Sequence, residues 1–263
     1  WTFEQREQHY RHVLPRASIV VTGNAAGARA ISAIYRVAPQ NIREIPLPVD
    51  AVALQQLIAD RGAIEALGLA PSEYLLYPAQ FWPHKNHITL VDMLALLHGA
   101  GRRFKLVFSG SDKGNRAHVQ SYVAQRGLQD HVLFTGFVDV PVLQQLYLNA
   151  FAMVFASTLG PDNLPPLEAM ALRCPVVCAA FDGAREQLGA AALLFEPLDA
   201  REAAAQVLKL DDAQLRQQLL GDGQRVVQGR TPDEYIRRIN DALDRFAAWR
   251  RLWGPCNSYQ HPR

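Results

Sequence analysis

The chain has 263 residues, a net charge of +2, an apolar fraction of 49% and a charged fraction of 20%. It exceeds a typical single domain but falls short of two α/β domains of ~150 residues each, and its composition excludes a disordered chain. Lys and Arg are interleaved with Asp and Glu, which excludes the basic stripe of a nucleic-acid-binding protein.

The apolar runs and the cysteines indicate the compartment. No run reaches the ~20 residues that a membrane-spanning helix needs, and the opening WTFEQREQHYRH has no signal-peptide core. Cys174, Cys178 and Cys256 match no common metal-site spacing and are interpreted as reduced structural thiols. We therefore expect a cytoplasmic protein with no metal or cofactor. Because the sequence starts without Met, we expect it to be cut from something longer.

Short apolar runs alternate with segments of helical period. The predicted strands are residues 18–22, 74–80, 105–110, 131–138, 151–157, 175–180 and 191–195. The predicted helices are one before the first strand, residues 27–35, 86–98, 116–127, 142–149, 165–172, 185–188 and 201–210, then two more, the last running from 231 to 249. Strands that are apolar on both faces and separated by helices predict an α/β fold with a doubly wound parallel sheet, Rossmann-like, because each crossover must cover a face.

Turn residues predict the domain boundaries. The run Ile45-Pro46-Leu47-Pro48-Val49-Asp50 predicts an extended linker, since each proline lacks an N–H and restricts its predecessor. Residues 1–48 are predicted to be a remnant of a preceding domain with this linker. Residues 49–230 form the complete Rossmann-like domain, and residues 231–263 a carboxy-terminal helix and tail.

The strongest motif lies at residues 157–170, where a predicted strand ends in a Gly/Pro/Asn loop. A helix begins near Asn163, a good N-cap residue. Two prolines remove amides at this helix start, which leaves those of Asn163, Leu164 and Leu167 as donors. Free amides at the positive end of a helix bind anionic oxygens, so a phosphate fits here. The alternative is an ordinary strand-to-helix turn.

Glu168 in the same helix favours the phosphate interpretation. Leu167, Met170 and Ala171 suit the buried stripe, so the Glu168 carboxylate is predicted to face the loop or the solvent. A carboxylate at the edge of a phosphate loop can accept hydrogen bonds from ribose hydroxyls.

Lys85 follows the first strand of the complete domain, at the sheet edge where ligands of α/β proteins gather. It can bring a full positive charge to a diphosphate, and Asn86 can cap the next helix. The alternative is a solvated lysine beside aromatic packing. His84 and His87 lack an acidic or cysteine partner nearby, which argues against a metal site.

Two further strand ends carry small residues. Ser109 and Gly110 close one strand, and Gly136 closes the next, where Phe137 and Val138 follow. Taken alone, the Ser109-Gly110 end is a weak signal, because many strands end in glycine. The Gly136 end could approach a base with its backbone, and the alternative there is a glycine where the chain turns.

Together these stretches resemble the retaining glycosyltransferases of family four, which have the two-Rossmann-domain fold called GT-B. The resemblance runs from about residue 19 to residue 210 and includes LPPLEAM at residues 164–170 followed by PVV at 175–177. FWPHKNH at residues 81–87 is similar to a subgroup of that family. The chain then corresponds to the carboxy-terminal, nucleotide-sugar-binding domain with a short remnant of the amino-terminal domain.

The resemblance implies that Lys85 binds the donor diphosphate and Glu168 the ribose, and both are expected to be catalytic. It also implies that the loop after Ser157 holds the phosphates and the donor sugar, and that Phe137 and Val138 lie by the base. The residues expected to contact the donor are Gln80, Ser109, Gly110, Phe137, Val138, Gly160, Pro161, Asp162, Asn163, Leu164 and Glu168.

Two positions depart from the family pattern. Gly160 stands where the family usually has a first Glu, and Gln80 stands where a basic residue is expected. Both substitutions remove a charge from the donor site.

The resemblance implies transfer, with retention, of a sugar from a nucleoside diphosphate sugar to a glycan or lipid-linked acceptor, in bacterial surface polysaccharide synthesis. The full-length protein could then associate peripherally with the inner face of the membrane. We expect the chain to need the rest of its amino-terminal domain for a complete active site. One alternative is a degenerate GT-B domain that binds a nucleotide or a partner protein without catalysis. A GT-B-shaped epimerase is a third, but its expected acidic pattern is not found.

Overall fold

The structure, a computed structural model, describes residues 2–49, 62–160 and 162–253, with side chains as far as residue 248. Pro161, Cys256 and the predicted tail at residues 254–263 lie outside the described residues. The chain divides into two compact units, one formed by residues 1–48 with 232–263 and the other by residues 49–231.

The elements follow one another in this order along the chain. The helices are α1 (Phe3–Val13), α2 (Ala25–Tyr35), α3 (Gly62–Ala66), α4 (His87–Gly99), α5 (Arg116–Gln125), α6 (Val140–Asn149), α7 (Leu164–Ala171), α8 (Ala184–Leu188), α9 (Ala200–Lys209), α10 (Ala213–Val227) and α11 (Pro232–Trp253). The strands are β1 (Val20–Thr22), β2 (Ile42–Glu44), β3 (Tyr74–Pro78), β4 (Lys105–Ser109), β5 (Val132–Gly136), β6 (Ala152–Phe155), β7 (Val176–Ala179) and β8 (Ala192–Phe195).

Each predicted strand contains one of these strands, with ends trimmed by up to two residues. The sequence did not predict β2 or α3. Strand β2 has only three residues, reads Ile-Arg-Glu and lies half exposed, so it carries no alternating pattern.

The smaller unit contains β1 paired in parallel with β2, together with α1, α2 and α11. Asn24 caps α2 by accepting a hydrogen bond from the amide of Gly27 at 2.8 Å. Helix α1 contacts α2 through the Tyr35 hydroxyl, which donates to Glu7 at 2.6 Å.

The larger unit is built on one parallel sheet of six strands in the order β5-β4-β3-β6-β7-β8. The strands β6 and β7 are buried along their whole length, as continuous apolar runs require when helices cover both faces. Helix α4 packs against α5 and α9, while α7 packs against α10. The predicted doubly wound α/β fold is confirmed.

The strand order places the candidate site. All six strands are parallel, so their carboxyl ends meet at one edge of the sheet. The order reverses between β3 and β6, and ligands of open α/β sheets bind at such a switch point. Lys85 follows β3 and the Gly/Pro/Asn loop follows β6, so both motifs lie at this point.

Across the described ranges, none of the helices combines the length and the apolar character needed to cross a bilayer.

Candidate functional site

The loops after β3 and β6 are tied together by direct hydrogen bonds. Thr158 donates twice to the carbonyl of His84, from its amide at 3.0 Å and from its hydroxyl at 3.2 Å. The Asn86 carboxamide donates to the carbonyl of Ala156 at 3.3 Å. The structure thus brings together the two motifs that lie 70 or more residues apart in sequence.

Asn86 occupies the N-cap position of α4 but does not cap it with its side chain. Its carboxamide is used by Ala156 and by the Thr89 hydroxyl, which donates to Oδ1 at 2.9 Å. Its backbone is left-handed, with φ of 54°, a conformation that asparagine tolerates. The prediction that Asn86 caps the helix was therefore wrong, because the residue joins two loops instead.

Lys85 ends a short 3-10 turn, Pro83–Lys85, and lies half buried. Its Nζ lies 5.3 Å from the centre of the Phe155 ring, and its carbonyl accepts a hydrogen bond from the buried Tyr77 hydroxyl at 2.7 Å. Burial lowers the pKa of its ammonium. Within the described ranges this ammonium has no carboxylate partner, so it can offer its charge and its N–H donors to a ligand.

The start of α7 differs from the sequence prediction. Asn163 is the N-cap residue, but its side chain makes no capping bond and donates instead to the carbonyl of Gly160 at 3.0 Å. Its amide, predicted to be a free donor, donates to Gln187 Oε1 at 3.2 Å. Gln187 also donates from Nε2 to the Asn163 carbonyl at 2.9 Å. Asn163 N–H is therefore occupied, whereas the amide of Leu164 bonds to no other described residue.

Glu168 has a partner that the sequence did not indicate. The Tyr147 hydroxyl, from α6, donates to Glu168 Oε2 at 3.0 Å, and Tyr147 is almost fully buried. Burial raises the pKa of the Glu168 carboxyl, and the hydrogen bond from Tyr147 opposes that rise. Leu167, Met170 and Ala171 form the buried face of α7, as predicted.

The carboxyl ends of β4 and β5 lie next to the end of β3 along the same edge of the sheet. Ala79 donates its amide to the Ser109 carbonyl at 2.8 Å, and Gly110 donates to the Gly136 carbonyl at 2.8 Å. A Cβ on Gly110 would overlap the carbonyl of Ala79 and lie 2.9 Å from the amide nitrogen of Gln80. Glycine at 110 is needed because the chain after β4 passes directly against the chain after β3.

The outermost predicted ligand residues are exposed to different degrees. Phe137 has 83% of its surface exposed, which is exceptional for an aromatic side chain and leaves a large apolar face for a ligand. Val138 packs partly against the core. Gln80 is exposed, and its Oε1 accepts a hydrogen bond from the indole of Trp82 at 3.0 Å.

The loop after β6 carries two further predicted residues. Gly160 has φ of 108°, a backbone conformation that residues with a Cβ rarely adopt. Asp162 is half buried, and burial raises the pKa of its carboxyl while the charge of Arg230 opposes this. Pro161 between them lies outside the described residues.

His87, at the start of α4, is part of the core beneath this edge. It is fully buried and its ring stacks on Phe81 with 4.4 Å between the ring centres. Burial lowers the pKa of its imidazole to about 4, so it is neutral at physiological pH. The described residues include no group of three or more His, Cys, Asp or Glu side chains placed to hold a metal ion.

The two described cysteines, Cys174 and Cys178, are buried and unpaired. Burial raises the pKa of the Cys174 thiol to about 12. Neither cysteine is one of the residues predicted to contact the donor.

The chain is similar to proteins that transfer sugars. The family profile described as "Glycosyl transferases group 1" matches residues 64–244. A D-inositol 3-phosphate glycosyltransferase from Jonesia denitrificans is 28% identical over 256 residues, which cover 91% of this chain and 58% of that relative. The O-antigen chain mannosyltransferase B of Escherichia coli is 32% identical over 143 residues, 54% of this chain and 37% of the relative. This chain thus spans little more than half the length of the first relative.

A solved structure shows the same fold. Alr3699/HepE from Anabaena, crystallised in complex with UDP and glucose, superposes with a TM-score of 0.79 over 94% of this chain and 68% of that chain. The sequences are 19% identical, so the superposition concerns the fold alone.

Proposed function

The chain belongs to the group 1 glycosyl transferases, and from this premise we propose that it is the donor-binding part of a retaining, family-four enzyme. The donor is a nucleoside diphosphate sugar, and the acceptor is a glycan or a lipid-linked sugar of a bacterial surface polysaccharide. Relatives named as inositol phosphate and O-antigen enzymes support sugar transfer of this kind.

The observation that carries this proposal is the environment of Lys85. Its ammonium lies half buried over Phe155, at the switch point, with no carboxylate partner in the described part of the chain. Removing a cation from water without a counterion is unfavourable. An anionic ligand would therefore stabilise this half-buried ammonium. A diphosphate supplies that charge.

The start of α7 supplies the second set of donors. The amide of Leu164 is available at the positive end of an eight-residue helix whose first turn contains two prolines. Glu168, four residues into α7, would accept hydrogen bonds from the ribose hydroxyls, and Phe137 would pack by the base. These roles follow the family pattern.

Catalysis on this proposal depends on stabilising the leaving group. The bond between the anomeric carbon and the diphosphate oxygen breaks, and negative charge grows on the departing diphosphate. On this proposal Lys85 and the Leu164 amide of α7 stabilise that charge, and the acceptor hydroxyl attacks from the same face and gives its proton to the departing phosphate oxygen. No protein nucleophile is required.

The conformation of Gly160 bears on the departure from the family pattern. A glutamate at 160 would have to adopt φ near 108°, so the present loop is built for glycine. This feature favours the second candidate, a degenerate domain that binds a nucleotide or a partner without catalysis. Product analysis with the longer protein separates the two: sugar transfer supports the enzyme, whereas nucleotide binding without transfer supports the binding module.

The proposed diphosphate site is tested by calorimetric titration of UDP and GDP. Lys85→Ala is expected to weaken binding by ~1–3 kcal/mol, the range for losing a charged hydrogen bond. Lys209→Ala is the control, because it removes an exposed lysine at the end of α9, away from the carboxyl edge of the sheet. Absence of UDP and GDP binding, or equal binding by the Lys85→Ala protein, would contradict the proposal.

A further inference from the structure

We infer that Gln187 is a positioning residue of the donor site: it holds Asn163 so that the Leu164 amide, and not that of Asn163, is presented to the donor phosphate. The inference rests on the proposed function and adds a residue that does not itself contact the donor. Sequence patterns do not indicate this role, since Gln187 is one polar residue of the short helix α8.

The contact is a paired hydrogen bond between a side chain and a backbone. The Gln187 carboxamide accepts from the Asn163 amide at 3.2 Å and donates to the Asn163 carbonyl at 2.9 Å. Gln187 is 2% exposed and Asn163 7% exposed, so water cannot easily replace either bond. The carboxamide thus satisfies both backbone groups of one residue, as a neighbouring strand would.

Gln187 is itself held in place. Its carbonyl accepts a hydrogen bond from Arg230 Nη2 at 3.1 Å, and the Arg230 carbonyl accepts from the amide of Val49 at 2.7 Å. On the other side, the Asn163 side chain donates to the Gly160 carbonyl at 3.0 Å. A continuous series of hydrogen bonds therefore runs from Arg230 through Gln187 and Asn163 to the loop after β6.

This arrangement decides which amides are available. Asn163 is extended, with φ of −134° and ψ of 125°, and its N–H points to Gln187. Without the carboxamide, two buried backbone groups would lack partners, and the loop would have to turn to reach water. Such a turn would move the Leu164 amide away from a bound phosphate.

The test compares two glutamines that bond to the two ends of α7. Gln187 bonds at its start, whereas Gln224 donates to the carbonyl of Met170, near its end, at 2.6 Å. We expect Gln187→Met to bind UDP or GDP about tenfold more weakly than the parent, measured by calorimetry on the folded protein. Gln224→Met is expected to lower the melting temperature by a similar amount and to leave nucleotide affinity unchanged.

A second measurement needs no substitution. Amide hydrogen exchange of the parent, followed by NMR, should show Asn163 protected before any nucleotide is added. Leu164 should exchange rapidly in the free protein and become protected when the nucleotide that binds is added. This measurement decides the matter if Gln187→Met fails to fold.

The outcomes separate this inference from the proposed function. If the parent binds neither UDP nor GDP, the proposed function fails, and rapid exchange of Asn163 would still refute the contact with Gln187. If the parent binds nucleotide, the inference is overturned when Gln187→Met binds equally well, when Gln224→Met weakens binding as much, or when Leu164 gains no protection.

Discussion

Replacing Glu168 by Gln should weaken nucleotide binding without lowering stability. The substitution keeps the shape of the side chain and one acceptor oxygen, so the hydrogen bond from Tyr147 at 3.0 Å can persist. What is lost is the negative charge that strengthens hydrogen bonds from ribose hydroxyls.

The magnitude follows from that loss. Hydrogen bonds to charged groups exceed those between neutral groups by about 1–1.5 kcal/mol, which corresponds to roughly five- to tenfold in affinity. Because an amide oxygen remains as an acceptor, the lower part of this range is expected.

Glu168→Gln should weaken nucleotide binding, but it should not lower the free energy of unfolding. Burial raises the pKa of Glu168 in the folded chain above its ordinary value. The folded state then holds this proton more tightly than the unfolded state, so the contribution of Glu168 to stability falls as pH rises through the folded pKa. Glutamine has no charge to desolvate. The Glu168→Gln protein should therefore melt no lower than the parent at pH 8, and the difference should shrink toward acid pH.

The assays are differential scanning calorimetry from pH 4 to pH 8 and nucleotide titration at pH 8. A Glu168→Gln protein that melts well below the parent would show that the carboxylate is needed for the fold. Nucleotide affinity equal to that of the parent would show that the family role of this glutamate does not apply here.

Two further substitutions test the contacts around the site. Tyr147→Phe removes the donor to Glu168 and raises the pKa of that carboxyl further, so the acid-side loss of nucleotide binding should move to higher pH. Tyr74→Phe is the matched control, since its buried hydroxyl donates to the carbonyl of Leu146 at 2.6 Å; an equal shift in both proteins would argue against a specific role. Gly110→Ala should destabilise the fold by about 1–3 kcal/mol in urea unfolding, because the new Cβ overlaps backbone. Gly99→Ala, whose Cβ would meet nothing within 4 Å at the end of α4, should be neutral or stabilising, and comparable losses in both would refute the close approach at Gly110.

The sequence by itself determined the architecture and the positions of the motifs. Apolar runs such as residues 151–157 and 175–180 have no polar face, so only a sheet covered on both sides can bury them, and this decided the fold class. Lys85 and the loop near Asn163 each follow such a run. A parallel sheet places the ends of its strands at one edge, so both motifs had to lie there.

Only the tertiary structure decided which groups remain available at that edge. Asn163 and Asn86 have the residue type of helix caps, yet their side chains bond to Gly160 and Ala156. Gln187 and Tyr147 reach α7 from 24 and 21 residues away. Local preference indicates which residue types suit a cap or a buried face, because these depend on near neighbours, but it does not indicate which partner a side chain takes. Hydrogen-bond partners such as Gln187 and Tyr147 depend on how each helix packs against the sheet. Differences of about an ångström there decide whether a hydrogen bond forms.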